Sequence, residues 1–90
     1  MENYIVCYDL SKPHRDYGKI INAIEDVYLN TRLTESCWIL RTASDRKTIF
    51  NHLKNCVDSD DKLAIIKLGD DWATRNINTE TNNWLQKYVR

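Results

Sequence analysis

Five consecutive apolar positions, Tyr4-Ile5-Val6-Cys7-Tyr8, constrain this chain more than any other feature. A short run of β-branched and aromatic side chains reads as a strand. Side chains alternate across a strand, so Tyr4, Val6 and Tyr8 point one way while Ile5 and Cys7 point the other. Both faces of any sheet built on this strand are therefore apolar, and both need cover. The run Leu63-Ala64-Ile65-Ile66-Lys67-Leu68, closed by Gly69, repeats the condition, with Ile65 and Ile66 on opposite faces.

Between these strands the period changes twice. From Asp16, the residues Tyr17, Ile20, Ile21, Ile24 and Tyr28 recur at three and four positions, with Lys19, Asn22, Glu25 and Asp26 on the other side; that is an amphipathic helix. Asn30 to Glu35 is polar with alternation at Leu33, and Cys37-Trp38-Ile39-Leu40 is apolar throughout. This predicts an edge strand and a central strand joined near Glu35 and Ser36. Ser44 is the expected N-cap of a second helix carrying Ile49, Phe50, Leu53, Cys56 and Val57, and Asp58-Ser59-Asp60-Asp61 turns the chain into the last strand.

The predicted order is strand, helix, strand, strand, helix, strand over residues 1 to 69. An α+β, ferredoxin-like βαββαβ fold with an antiparallel sheet is the economical arrangement, both helices covering one face. The second face must then meet residues 70 to 90 or another copy, which predicts a homodimer. The extension carries Trp72, Ile77, Trp84, Leu85, Tyr88 and Val89, too much apolar surface for a free linker. Trp84, Leu85 and Tyr88 suit a final helix. Trp72 to Ile77 reads as a fifth strand on a sheet edge, with exchange between protomers preferred.

Lys plus Arg and Asp plus Glu tie at 13 each in 90 residues, so net charge alone does not recruit nucleic acid and any phosphate contact needs a local patch. The acidic Met1-Glu2-Asn3-Tyr4 start and the lack of an apolar run near the length of a membrane span predict a cytoplasmic, non-membrane protein. Cys7, Cys37 and Cys56 are odd in number, far apart and without Cys-x-x-Cys spacing, and are expected to be reduced packing residues. No glycine-rich phosphate loop or zinc spacing occurs. The Asp58, Asp60, Asp61 cluster has Leu63 where a calcium loop needs glycine and Gly69 where it needs glutamate, so a solvated turn is expected. His14 and His52 read as surface histidines.

Asp9 is the candidate catalytic and metal-ligating residue. It ends an apolar strand, so rigid backbone holds its carboxylate while the adjoining loop supplies solvent and the neighbours Lys12, His14 and Arg15. Such a carboxylate suits Mg2+ or Mn2+, which keeps several waters and stabilises charge on a phosphodiester. A twofold axis near the strand end would pair two copies of it. The alternative is a side chain that merely starts the turn through Ser11.

Tyr8-Asp9-Leu10 closing the first strand, Ser36-Cys37-Trp38 opening the third and the Asp60-Asp61 turn before the last strand resemble the second CRISPR-associated family (Cas-two) and, more closely, its small VapD and SinR-like relatives. The resemblance covers roughly residues 3 to 69. It implies a ferredoxin-like homodimer whose Asp9 carboxylates face each other and share a divalent metal. It also implies either a metal-dependent endonuclease on RNA or double-stranded DNA or a non-catalytic scaffold carrying DNA beside an integrase-type partner. Tyr8 and Ser36 match the motif flanks, where a hydroxyl would orient water or phosphate. A phosphate patch from Lys12, Arg15 and Lys19, with His14 in the same loop and Arg32 and Arg41 on the strands, completes the expected nucleic-acid surface. A dimeric protein-interaction module is the reading that the zero net charge supports.

Overall fold

The computed structural model describes residues 1 to 11 and 17 to 90. Its elements are β1 (Glu2–Asp9), α1 (Gly18–Val27), β2 (Leu29–Thr34), β3 (Cys37–Thr42), α2 (Arg46–Leu53), β4 (Lys62–Lys67) and α3 (Thr79–Tyr88). The four strands form one sheet in the order β2-β3-β1-β4, every neighbouring pair antiparallel. The fold is thus α+β, with β3 and β1 central and β2 and β4 at the edges.

The register sorts the strands into two faces as the alternation requires. Tyr4 lies opposite Leu40, and Val6 lies between Trp38 and Ile65. These side chains, with Tyr8, pack against Ile20 and Ile24 from α1, Tyr28 at its C-cap, and Ile49 and Leu53 from α2. Within this layer Trp38 Nε1 donates to Tyr8 Oη at 3.1 Å. Tyr28 lies in the same layer and its hydroxyl meets His52 Nδ1 at 2.8 Å. Burial and the neighbouring Cys56 push that phenol above its ordinary pKa. His52, expected on the surface, is a half-buried packing residue.

Asp45, not Ser44, caps α2. Asp45 has extended backbone and its carboxylate accepts the Thr48 N–H at 2.8 Å; Ser44 instead donates its own N–H to Thr42 Oγ1. The helical rise ends at Leu53, and Lys54–Cys56 tightens into a 3-10 turn. Phe50 is 39% exposed on what the sequence pattern makes an apolar face.

The second face belongs to the extension. α3 lies over β2 and β3, burying Leu85 and Val89 against Ile39 with Leu33, Leu68, Trp72, Trp84 and Tyr88 around them. A buried threonine pair docks the helix: Thr81 Oγ1 donates to the Arg32 carbonyl at 2.9 Å. Its one proton is thereby used, so the Thr31 hydroxyl, 3.0 Å away, donates to Thr81. Asn78 caps the helix through the Thr81 N–H at 2.7 Å.

The predicted fifth strand is corrected. Residues 70 to 78 form no strand and instead make an irregular strap across the sheet face. Trp72 Nε1 donates to the Val89 carbonyl, Thr74 Oγ1 to Asn82 Oδ1 at 2.6 Å, and Asn82 Nδ2 to the Ile77 carbonyl at 3.1 Å. Asn76 takes φ 61, a left-handed conformation that asparagine tolerates and that breaks strand alternation. Between strap and sheet a cavity of about 280 Å³ is lined by Ile5, Leu33, Ile39, Leu68, Trp72 and Leu85 among others. No described helix is long and apolar enough to cross a membrane.

Candidate functional site at the end of the first strand

α3 covers only the β2–β3 half of its face. The other half is an open strip along β1 and β4 carrying Ile5, Cys7, Asp9, Lys62, Ala64 and Ile66, the last 59% exposed. Asp9 is the final residue of β1, exposed, and opposite Lys62. Its backbone is held by β4 while its carboxylate makes no hydrogen bond or ion pair among the described residues. Cys7, Asp9, Lys62 and Ala64 border a shallow depression of about 270 Å³.

The acidic turn next to this strand end is put to structural use. Asp61 Oδ1 accepts the Ser11 N–H at 2.9 Å and the Ser11 hydroxyl at 3.2 Å, and Oδ2 accepts the Asp58 N–H at 2.7 Å. Asp61 therefore ties the exit of β1 to the turn before β4. Oxygens of Asp58, Asp60 and Asp61 lie within 4.8 Å of one another, on a turn whose carboxylate Asp61 already serves three donors of its own chain.

Among the described residues, the remaining sequence candidates do not form one surface. Lys12, His14 and Arg15 lie outside the described residues. Tyr8 is 3% exposed and points to the helix-covered face, away from Asp9. Lys19 is exposed on α1 beside a cleft it shares with Leu10, Cys56 and Asp61. Ser36 lies in the β2–β3 turn and its carbonyl accepts the Tyr8 N–H at 3.1 Å. Arg32 belongs to the helix-covered face, its guanidinium 4.9 Å from the Trp38 ring centroid and donating to the Glu35 carbonyl at 2.6 Å. Arg41 belongs to the opposite face, beside Asn3, where it donates to Asn3 Oδ1 and the Tyr88 carbonyl and stacks on Tyr88. Six residues of strand separate Asn3 from Asp9, roughly 20 Å.

One pair that sequence reasoning set aside is brought together. Cys7 and Cys37 are register partners at a Cα separation of 4.3 Å and are joined as a disulfide. The expectation of three reduced packing cysteines holds for Cys56 alone, the free thiol. Sequence separation carries no signal of this pairing; only the β1–β3 register does. No family model, no curated protein and no solved structure matches this chain.

Proposed function

We propose that this chain is a homodimeric nucleic-acid-binding protein of Cas-two-like type, acting as a metal-dependent endonuclease on RNA or double-stranded DNA. A ferredoxin-like core is supported by the element order β1-α1-β2-β3-α2-β4 and the spatial order β2-β3-β1-β4. The observation that carries the functional reading is Asp9: an exposed carboxylate on rigid strand backbone, uncommitted among the described residues, at the edge of an open apolar strip. A second copy seated on the strip through Ile5, Ala64 and Ile66 would bring two such carboxylates together.

The residues fit Mg2+ or Mn2+ on those terms. Magnesium takes one or two carboxylates and keeps its waters, so one Asp9 from each copy suffices without further ligands from the chain. A bound ion supplies charge stabilisation on a phosphodiester. The chain's own contribution is to hold Asp9 in place through the β1–β4 ladder and through Asp61, which anchors Ser11 two residues later.

A second reading, a non-catalytic scaffold or dimeric interaction module, is favoured by Arg32 and Arg41, whose guanidiniums lie over Trp38 and Tyr88 of their own chain on opposite faces of the sheet. Cleavage of labelled single-stranded RNA and duplex DNA with magnesium, manganese or chelator separates the two. The nuclease reading expects metal-dependent cutting that Asp9→Ala abolishes while the protein stays folded. Salt-sensitive binding without turnover in both proteins moves the scaffold to first place.

A further inference from the structure

We propose that Cys7 and Cys37 form a reversible redox latch, closed as a disulfide that clamps the last rung between β1 and β3 and opened by a dithiol reductant. Four observations converge on this pair. Cys7↔Cys37 is the final register pair of the β1–β3 ladder, and β3 begins at Cys37. The next backbone contact, Tyr8 N–H to the Ser36 carbonyl at 3.1 Å, already belongs to the turn. That hydrogen bond makes Cys7 and Cys37 a non-hydrogen-bonded pair, the kind in which opposed side chains approach most closely. Both residues are half-buried; Cys7 lies on the open β1–β4 strip with the small, exposed Ala64 opposite it on β4, and Cys37 borders that strip at the start of β3; a reductant therefore reaches the pair from the Cys7 side without unfolding the core.

The exchange is balanced without a cofactor. A thiolate of the reductant attacks one sulfur of the pair, the Cys7–Cys37 bond breaks, and the departing thiolate takes up a proton. The reductant's second thiol then displaces the mixed disulfide and frees the other cysteine. Two electrons and two protons have passed from the dithiol to the protein. Oxidised dithiol runs the sequence backwards.

Opening has a local consequence. Beyond the latch, Tyr8 and Asp9 pair only with β4, apart from the single Tyr8–Ser36 bond. With the latch closed, Cys37 cannot drift from Cys7 and that bond is held; with it open, the rung is a free ladder end, and ladder ends fray first. The inference does not depend on Asp9 being a metal ligand.

Alkylation with mass analysis and amide hydrogen exchange test it together. After treatment with oxidised dithiol, only Cys56 should react with an alkylating agent; after reduced dithiol, all three cysteines should. Reduction should speed exchange of the Tyr8 amide about tenfold or more. The Leu68 amide, which donates to the Asn3 carbonyl at 2.9 Å at the other end of β1, should be unchanged. Cys37→Ser should resemble the reduced protein under all conditions, and Cys56→Ser should keep the full response. If the serine variant at Cys37 fails to fold, the two redox states of the parent chain decide alone. Three reactive thiols after oxidation would overturn the proposal. So would equal Tyr8 exchange in both states, or a matching change at Leu68.

Discussion

On the face covered by α1 and α2, residues from three strands and two helices close a continuous apolar layer in which Trp38 Nε1 donates to Tyr8 Oη and the Tyr28 hydroxyl meets His52. On the opposite face, one helix and an irregular strap cover half of the sheet, leave a cavity of about 280 Å³ beneath them, and expose the β1–β4 strip. The same strands build both, alternate residues going to each. Strand parity divides stability from the candidate chemistry: Tyr4, Val6 and Tyr8 hold the fold, while Ile5, Cys7 and Asp9 lie on the half-covered face, where the proposed partner, reductant or ion would meet them.

The division can be broken most severely on the closed face. Leu53 is fully buried there, and Leu53→Ala should cost about 3 to 4 kcal/mol in denaturant unfolding, as the truncation of a buried leucine in tight packing does. Leu85→Ala, on the half-covered face, should cost about 2 kcal/mol, because neighbours around the existing cavity can relax. Native-state exchange sharpens the contrast: Leu85→Ala should expose α3 amides while β1–β3 amides stay protected. Equal loss of protection in both regions would mean that the two faces unfold as one unit.

A smaller effect is expected from Thr81→Val. The substitution keeps the shape but leaves the Arg32 carbonyl and the Thr31 hydroxyl without their partner, a loss of about 1 to 2 kcal/mol confined to the α3 side. The smallest is a pH effect at the Asp45 cap. The Thr48 N–H holds the Asp45 carboxyl below its ordinary value of 3.8. A lower folded pKa means that the cap's contribution is complete above the ordinary value and is lost as pH falls through the folded one. Asp45→Asn keeps a capping oxygen and should flatten this acid-side decline in thermal denaturation scans.

Much of the fold is legible in the sequence because it is written in periods. The change from two to three or four near Asp16, the return at the Asn30 to Leu40 pair of strands, and the apolar run after Asp61 each report burial on one side of one element. The strap resisted the same reading. Trp72 and Ile77 look like strand residues, but the intervening Thr74, Arg75 and Asn76 are committed to α3, solvent and a left-handed turn. The candidate site is legible at Asp9, whose role depends only on ending a strand. The basic patch and the cysteine pairing were not, because both depend on register. Arg32 and Arg41 fall on opposite faces of the sheet, and Cys7 meets Cys37 only because β1 and β3 align as they do.

In the reading proposed above, the open strip, with Asp9 on it, is the working surface. Paramagnetic broadening of amide resonances by Mn2+ tests this directly, since it reports where an ion resides whether or not anything is cleaved. Saturable broadening is expected, centred on Asp9 and its neighbours Lys62 and Ala64 and lost in Asp9→Asn. Broadening centred on the Asp58 to Asp61 turn and unaffected by Asp9→Asn, or no localised broadening at all, would contradict it.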